Sequence, residues 1–243
     1  MRSSLGAMTE FTPDGIEIRA LDSIESIFEA SRVLAQVWGG DDSGMPPNLL
    51  RALAYSGNYV VGLYDGARMI GASAAFFAAP AERSMHSHIT GVLPEYQARG
   101  LGRILKQHQR DWAFGRDVGH ITWTFDPLVA RNAHFNLIVL GTHVVDYLVD
   151  HYGPMADGVN RGDETDRLFV SWALAGPRHG NPPDDEIVAS VAIPRDIETM
   201  RAAQPAEAEA WRRRVREQFT ELYGRGLVVR GFRDEAGYLF VRA

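Results

Sequence analysis

The stretch VLPEYQARGLGRIL at residues 92–105 constrains the fold most, because a strand, a turn and a helix must follow one another within it. A short apolar run ends at Pro94, Gly100 and Gly102 follow among polar residues, and an amphipathic segment begins at Leu101. Glycine leaves the backbone open to a ligand, and the first amides of a helix carry partial positive charge. This order of elements therefore predicts an anion-binding turn at the start of a helix.

Two common phosphate-binding motifs do not fit this turn. The loop of nucleoside triphosphatases requires a Lys-Ser or Lys-Thr pair after its last glycine, whereas Arg103 and Ile104 follow Gly102. A dinucleotide-binding fingerprint requires glycine or alanine three positions after Gly102, where this chain has Leu105. Neither class of nucleotide-binding protein is therefore indicated.

A pyrophosphate-binding turn of a third kind fits these residues. Its donors would be the backbone amides of residues 99–103, supplemented by the side chains of Gln97 and Arg99 and by the charge of Arg103. The alternative is a turn that binds no ligand and uses glycine only for its backbone shape.

The composition is that of a globular protein, with 45% of the 243 residues hydrophobic and 23% charged. The net charge of −6 predicts no general affinity for nucleic acid or for anionic membranes. Because cysteine is absent, the chain has no disulfide, thiolate metal ligand or cysteine nucleophile, which fits a reducing compartment. The most apolar stretch, residues 72–79, is too short to span a bilayer. A soluble, cytoplasmic protein is expected.

The run WRRRVRE at residues 211–217 could suggest a nucleic-acid-binding patch, but it has helical periodicity. Arg213 lies four residues from both Glu209 and Glu217, a spacing that favours ion pairs on a helix surface. We therefore interpret the run as the solvated face of an amphipathic helix, whose apolar face holds Trp211, Val215, Phe219 and Leu222.

Hydrophobic periodicity predicts a hairpin that turns at Asp65-Gly66, followed by a strand–helix–strand–helix–strand order, which is typical of an α/β domain on a mixed sheet. Asp22 is placed to cap the first helix, and Asp126-Pro127 to start a helix that ends near Leu140. The polar stretch AGPRHGNPPDDE is the clearest break in the chain. We predict a flexible leader at residues 1–15, a main domain at residues 16–176, and a small α/β extension at residues 177–243 that packs on the main domain.

The sequence resembles the motif A region of the GCN5-related N-acetyltransferase (GNAT) superfamily. In that pattern a strand ends in V-x-P, and Q/R-x-x-G-x-G/A opens a helix two residues later. This chain has Val92-Leu93-Pro94 and then Gln97-Ala98-Arg99-Gly100-Leu101-Gly102. The stretches WTFDPLVARNAHFNLIVLG and VNRGDETDRL also resemble a branch of predicted acetyltransferases with a C-terminal extension. The resemblance implies a mixed, mostly antiparallel central sheet with helices on both faces.

The resemblance further implies that acetyl-CoA or another acyl-CoA binds as co-substrate and that no metal takes part. The pyrophosphate would lie on the turn at residues 97–103, and the pantetheine arm between the strand that ends at Leu93 and the strand that ends at Phe125. Backbone groups of the first strand would pair with the pantetheine amides as an added strand would. The residues implied in coenzyme A binding are Val92, Leu93, Gln97, Ala98, Arg99, Gly100, Leu101, Gly102, Arg103 and Asn132.

Two histidines are candidates for the general base that removes a proton from the attacking amine. His86 and His88 are two residues apart on a strand and share a face, and imidazole titrates in the useful pH range. Several members of the superfamily carry a glutamate near the position of His86. The alternatives are two ordinary strand histidines, or a His-x-His metal site for which the sequence offers no further ligand.

The general acid is less clearly indicated, because this chain departs from the pattern. Many members of the superfamily carry a tyrosine four residues before a helix-closing glycine, and counting back from Gly141 gives Leu137. Tyr147 or Tyr152 could supply the proton to the leaving thiolate. Otherwise water supplies it, or the thiolate leaves without help.

Six residues are candidates for acceptor binding. Asp126 ends a strand beside the expected cleft, where it could bind an amine or simply cap the following helix. Arginine suits a carboxylate on the acceptor or on a dicarboxylic acyl group, although loop arginines are usually solvated. The six candidates are Trp123, Asp126, Arg131, Arg161, Asp166 and Arg167.

These features favour an N-acyltransferase that moves an acyl group, acetyl by default or succinyl, to the amine of a small, amino-acid-like molecule by direct attack. The departure at Leu137 keeps open a non-catalytic acyl-CoA sensor or interaction module. A protein N-terminus or a histone tail is a variant acceptor that no feature of the sequence selects. The sequence leaves the choice between monomer and homodimer open.

Overall fold

The computed structural model describes residues 10–11, 15–39, 45–155 and 162–243. The chain divides into two compact units, residues 1–121 and residues 122–243. Residues 177–243 thus share one compact unit with residues 122–176. The proposed division into a main domain (residues 16–176) and an extension stays a prediction.

The first unit holds an antiparallel run of strands that follows chain order. Its alternating apolar residues are buried, as in β2, where Ile16 and Ile18 point into the core. The hairpin turn predicted at Asp65-Gly66 joins β3 to β4. The strands are β1 (Glu10–Phe11), β2 (Ile16–Ala20), β3 (Tyr59–Asp65), β4 (Arg68–Phe77) and β5 (Ser84–Val92).

Three helices accompany these strands: α1 (Ile24–Trp38), α2 (Pro47–Tyr55) and α3 (Leu101–Phe114). The prediction that Asp22 caps α1 was wrong. Ser23 is the N-cap, and its hydroxyl accepts a hydrogen bond from the amide of Ser26 at 3.1 Å. The capping side chain must reach an amide about three residues ahead, and in this helix Ser23 holds that position.

Helices α1 and α3 cover opposite faces of the strands. Ile89 of β5 packs in the core cluster that includes Leu34 of α1. The next residue, Thr90, contacts Ser73 at 2.8 Å, and Ser73 in turn accepts a hydrogen bond from Gln109 of α3. Because successive strand residues point to opposite faces, the two helices lie on different sides of β5.

The second unit contains two groups of strands. In the larger sheet the order is β6 (His120–Phe125), β8 (Arg167–Ala173) and β7 (His143–Leu148), and β7 pairs antiparallel with β8. The smaller sheet is antiparallel, with the order β10 (Leu227–Arg233), β11 (Gly237–Arg242) and β9 (Ala189–Val191). The helices are α4 (Ala130–Ala133), which continues as a π-helix at His134–Leu140, α5 (Ile197–Ala203) and α6 (Pro205–Gly224).

The helix predicted to start at Asp126-Pro127 begins later, at Ala130, and its N-cap is Val129. The Asp126 carboxylate instead accepts a hydrogen bond from the amide of Leu128 at 2.9 Å, within the turn that precedes the helix. The helix-capping interpretation of Asp126 was therefore wrong, because its side chain is used in the turn and in the buried ion pairs described below.

Helix α6 has the predicted apolar face, on which Val215, Phe219 and Leu222 are buried. The interpretation of residues 211–217 as a wholly solvated face was wrong in one respect, because Arg212 is completely buried. Apolar periodicity does not indicate where a buried carboxylate will accept a cation. The burial of Arg212 depends on acids far away in the sequence.

The predicted α/β class, with mostly antiparallel strands and a C-terminal α/β extension, is confirmed. Among the helices of the described residues, none combines the length and apolar character needed to cross a membrane.

Candidate functional site

The turn before α3 leads into a helix N-terminus without a side-chain cap. Ala98 and Gly100 both have left-handed backbone conformations, with φ of 59° and 76°. Gly100 is the N-cap of α3 and no side chain caps the helix. Residues 97–100 are exposed. The helix therefore presents an uncapped N-terminus to solvent, which favours an anion.

The glycines of this turn leave space that a ligand can fill. A Cβ atom placed on Gly100 or Gly102 would meet no atom within 4 Å. The left-handed φ explains the glycine at position 100, but packing against the described residues does not explain the glycine at position 102. The amide of Arg103 bonds to the carbonyl of Gly100 at 3.0 Å, whereas the helix offers no internal acceptor to the amides of Leu101 and Gly102.

Side chains tie the turn to the end of β5. The Gln97 amide nitrogen donates to the carbonyl oxygen of Val92 at 3.0 Å, which leaves one N–H of that group for a ligand. The guanidinium of Arg99 lies over the ring of Tyr96, 5.3 Å from its centroid. Arg103 is exposed on the first turn of α3. Two cations thus flank the open amides.

The backbone of β5 distinguishes the two residues predicted to contact pantetheine. The amide of Leu93 donates to the carbonyl of Ile70 on β4 at 2.9 Å, so it is already used. In an antiparallel ladder the backbone groups of alternate residues point to opposite edges, so those of Val92 point away from β4. The Val92 carbonyl already accepts from Gln97, so the Val92 N–H is the better placed group for an added hydrogen bond.

His86 and His88 lie on one face of β5, as predicted. Their ring centroids are 6.1 Å apart, and both rings contact Phe76, at 5.2 and 6.0 Å. His86 is half-buried and His88 is exposed. Desolvation of the His88 ring beside its neighbours lowers the pKa of its imidazole, so the ring is neutral and able to accept a proton near neutral pH.

A buried polar chain behind β5 was missed by the sequence analysis. The ammonium nitrogen of Lys106 lies 2.7 Å from Ser87 Oγ and 3.3 Å from Gln109 Oε1. Gln109 donates to Ser73 Oγ at 3.4 Å, and Ser73 contacts Thr90 Oγ1 at 2.8 Å. Burial lowers the pKa of Lys106 to about 7. A signal was present in the sequence, because Lys106 is the only lysine in the chain.

In the second unit, the two candidate acids differ in their surroundings. The Tyr147 hydroxyl donates to Asp166 Oδ2 at 2.6 Å, and burial together with this carboxylate raises the pKa of Tyr147 far above its ordinary value. The Tyr152 hydroxyl lies 2.8 Å from Thr124 Oγ1, and 41% of the residue is exposed. Arg167 is buried and lies over the Tyr152 ring, 5.4 Å from its centroid. Tyr152 is thus the more accessible proton donor.

Two acids and two arginines form a buried ion cluster in the second unit. Asp126 and Asp163 share the guanidinium groups of Arg201 and Arg212, whose side chains are 1% and 0% exposed. Burial alone would raise the pKa of Asp126, but Arg212 and Arg201 outweigh it and hold that pKa well below its usual range. Asp163, Arg201 and Arg212 were not singled out from the sequence, because no local pattern links them.

The other predicted acceptor-binding residues are placed as follows. Trp123 is buried and donates from Nε1 to Asn136 Oδ1 at 3.1 Å. Arg131 is exposed and forms a bidentate ion pair with Glu198. Asn132 is half-buried on α4.

Asp166 is fully buried and accepts hydrogen bonds from Arg216 at 2.6 and 2.9 Å. Arg161 lies outside the described residues. In the described part of the chain, no group of three or more metal-ligating side chains could hold a metal ion.

Comparisons with known proteins point to one family. Residues 23–135 match the Acetyltransferase (GNAT) family model. The N-alpha-acetyltransferase RimI of Mycobacterium tuberculosis (strain ATCC 25618 / H37Rv) is 35% identical over 82 residues, which are 33% of this chain and 52% of that protein. The chain therefore spans about half the length of this curated relative.

Solved structures share the fold at low sequence identity. The ribosomal-protein-S18-alanine N-acetyltransferase from Escherichia coli has a TM-score of 0.55 and 15% identity, and the match covers 67% of this chain and 96% of that chain. The yncA structure from Salmonella typhimurium, with its cofactor acetyl-CoA, has a TM-score of 0.50 and 18% identity, and covers 70% of this chain and 98% of that chain.

Proposed function

We propose that this chain is a GNAT-type, acyl-coenzyme A-dependent N-acyltransferase, with acetyl as the acyl group, as its similarity to the GNAT family model and to RimI supports. The observation that carries this proposal is the uncapped N-terminus of α3, which combines amides without a helix-internal acceptor, two glycines with open space beside them, and the exposed Arg99 and Arg103. Such a turn suits a diphosphate, because backbone N–H groups and cations both act on it without side chains in the way.

Each coenzyme A contact follows from the geometry of the first unit. The amides of Leu101 and Gly102 would bind pyrophosphate oxygens, and Arg103 would add a charged contact. The free N–H of Gln97 would point to the same anion while the other holds the turn on Val92. Val92, with its backbone groups directed away from β4, would pair with a pantetheine amide.

The reaction requires that the amine lose a proton, and protonation of the leaving thiolate assists it. We assign the base role to His86 or His88, because their rings lie together on one face of β5 and a neutral imidazole can take a proton from the acceptor ammonium, which frees the amine to attack. We assign the acid role to Tyr152. Tyr147 is a weaker candidate, because its proton is already shared with Asp166 and its pKa is raised. The amine nitrogen attacks the thioester carbonyl, the C–S bond breaks, and the thiolate receives a proton.

We infer that the acceptor is the α-amine of a polypeptide rather than a small amino-acid-like molecule. RimI of M. tuberculosis, a curated relative that this chain resembles over 82 residues, is named an N-alpha-acetyltransferase. Of the three arginines that favoured a carboxylate-bearing small molecule, the two that the structure describes do not support it further. Arg131 is held by Glu198, and Arg167 is buried against Tyr152.

Calorimetry with coenzyme A tests the binding turn. Gly102→Trp should abolish binding, because an indole would occupy the space above the open amides. Gly180→Trp is a control, since a Cβ on Gly180, as on Gly102, meets no atom within 4 Å. Absence of binding to the wild type, or binding that Gly102→Trp leaves unchanged, would contradict the proposal.

A thiol-release assay with acetyl-CoA tests turnover and the acceptor together. Peptides with free N-termini should release thiol, whereas the same peptides with blocked N-termini should not. Release with small amines alone would overturn the polypeptide acceptor. Binding of coenzyme A without release on any amine would favour the non-catalytic sensor instead.

A further inference from the structure

The strand that carries the two candidate base histidines contains a β-bulge. Ala74 of β4 pairs with Ile89, but the next residue, Ala75, pairs with Ser87. One residue of β5, His88, is therefore extra. A bulge re-aims the side chains beside it and interrupts the regular ladder, so its shape must be held by other contacts.

The buried polar chain holds the bulge on both sides. Lys106 of α3 reaches Ser87, the residue that separates the two histidines. On the other side of the extra residue, Thr90 contacts Ser73, which Gln109 of α3 also reaches. These hydrogen bonds join Ser87 and Thr90 to one face of α3. Hydrogen bonds thus hold the bulge against α3, and the N-terminus of this helix forms the proposed pyrophosphate-binding turn.

Burial of the Lys106 ammonium costs free energy, and a lysine differs from an arginine because it can lose its charge. Buried lysine is rare, since taking an ammonium out of water is unfavourable. The chain carries 25 lysines and arginines, and Lys106 is the only lysine among them. The others are arginines, which cannot lose their charge. Burial brings the pKa of Lys106 to about 7, so this amine can be neutral where an arginine would stay charged. An apolar residue of similar length would pack there at less cost.

We propose that Lys106 is a positioning residue for the general base: through its hydrogen bond to Ser87 it fixes the bulge at His88 and with it the positions of the His86 and His88 rings. This inference rests on the proposed function. It also means that the coenzyme A seat and the base are held by one element, α3, because the helix carries both the open amides and Lys106.

The kinetic test uses Lys106→Met, Ser87→Ala and the double variant. Each single change should lower kcat by roughly 10- to 100-fold, because a base displaced by about 1 Å loses that much rate. The affinity for coenzyme A should stay within about twofold. If both residues act through one hydrogen bond, the double variant should be no slower than the slower single variant. Gln107→Met, the next residue on α3, should leave kcat unchanged.

A spectroscopic test is independent of turnover. In Lys106→Met the NMR titration curves of His86 and His88 should move, because a displaced bulge changes the surroundings of both rings. Unchanged curves together with unchanged kcat in a folded Lys106→Met protein would overturn the inference alone. If the wild type itself shows no turnover, the proposed function fails, while the titration still reports whether Lys106 sets the bulge.

Discussion

Arg212 donates two hydrogen bonds to Asp126 inside the second unit, from Nη1 to Oδ1 at 3.1 Å and from Nη2 to Oδ2 at 3.2 Å. The two residues are 86 positions apart in the chain. Arg212 also donates to Asp163 at 2.8 Å. Helix α6 therefore neutralises the acid at the end of β6. Removal of either partner would leave the other as an uncompensated buried charge.

Arg212→Met should destabilise the protein by about 3 kcal/mol or more, because it leaves buried carboxylates with too few cations. Arg213→Met on the same helix should cost less than about 0.5 kcal/mol, since Arg213 pairs with Glu209 at the surface. Urea unfolding followed by circular dichroism measures both values. Equal losses of unfolding free energy in the two variants would contradict a stabilising role for the buried ion cluster.

The stability of the wild type should fall in acid. The pKa of Asp126 is lower in the folded chain than its ordinary value of 3.8, so the unfolded chain binds more protons as the pH falls. This stabilisation is fully present above the ordinary pKa and is lost as the pH falls below it. Arg212→Met should show a smaller loss between about pH 5 and pH 2, because its Asp126 is less strongly paired. Identical acid dependence in both proteins would contradict the assignment.

The single lysine gives a direct measurement of its ionisation. With lysine labelled selectively in ¹³C, the ε-methylene signal of Lys106 should titrate near pH 7 rather than at 10.5. Because the folded pKa is the lower one, the unfolded chain binds more protons between these values. The free energy of unfolding of the wild type, relative to Lys106→Met, should therefore rise from pH 7 to pH 10. A titration midpoint near 10.5 would rule out this shift.

Kinetic and stability measurements should distinguish the roles of Tyr147 and Tyr152. Tyr152→Phe should lower kcat by roughly 10²-fold through loss of the proton donor, with little change in the unfolding free energy. Tyr147→Phe should cost about 1–3 kcal/mol of stability, because it removes a hydrogen bond to buried Asp166, while kcat changes little. The reverse pattern would assign the acid role to Tyr147.

His86→Ala should lower kcat with little change in the affinity for coenzyme A, since the ring is a candidate base and lies apart from the turn along β5. The lower limb of the pH–rate profile should disappear with it. His88→Ala is the matched comparison, and the variant that keeps the limb identifies the residue that is not the base. A profile that neither substitution alters would return both histidines to an ordinary role on the strand.

The sequence by itself determined the elements and the turn. Alternating apolar residues predicted β2, the apolar stretches on either side of Asp65-Gly66 predicted β3 and β4, and Gly100 and Gly102 predicted a helix that starts with open amides. The shared face of His86 and His88 also followed from their spacing. These features depend on neighbours within a few residues, and local backbone geometry and side-chain periodicity are sufficient to predict them.

Only the tertiary structure decided which charged residues are buried. The periodicity of α6 predicted its apolar face, but it predicted a solvated Arg212, whose partners Asp126 and Asp163 lie far away in the sequence. In the same way Asp126 was expected to cap a helix, and Lys106 was overlooked. A buried charge needs an ion-pair or hydrogen-bond partner. The sequence around a residue does not show which partner the fold will bring to it.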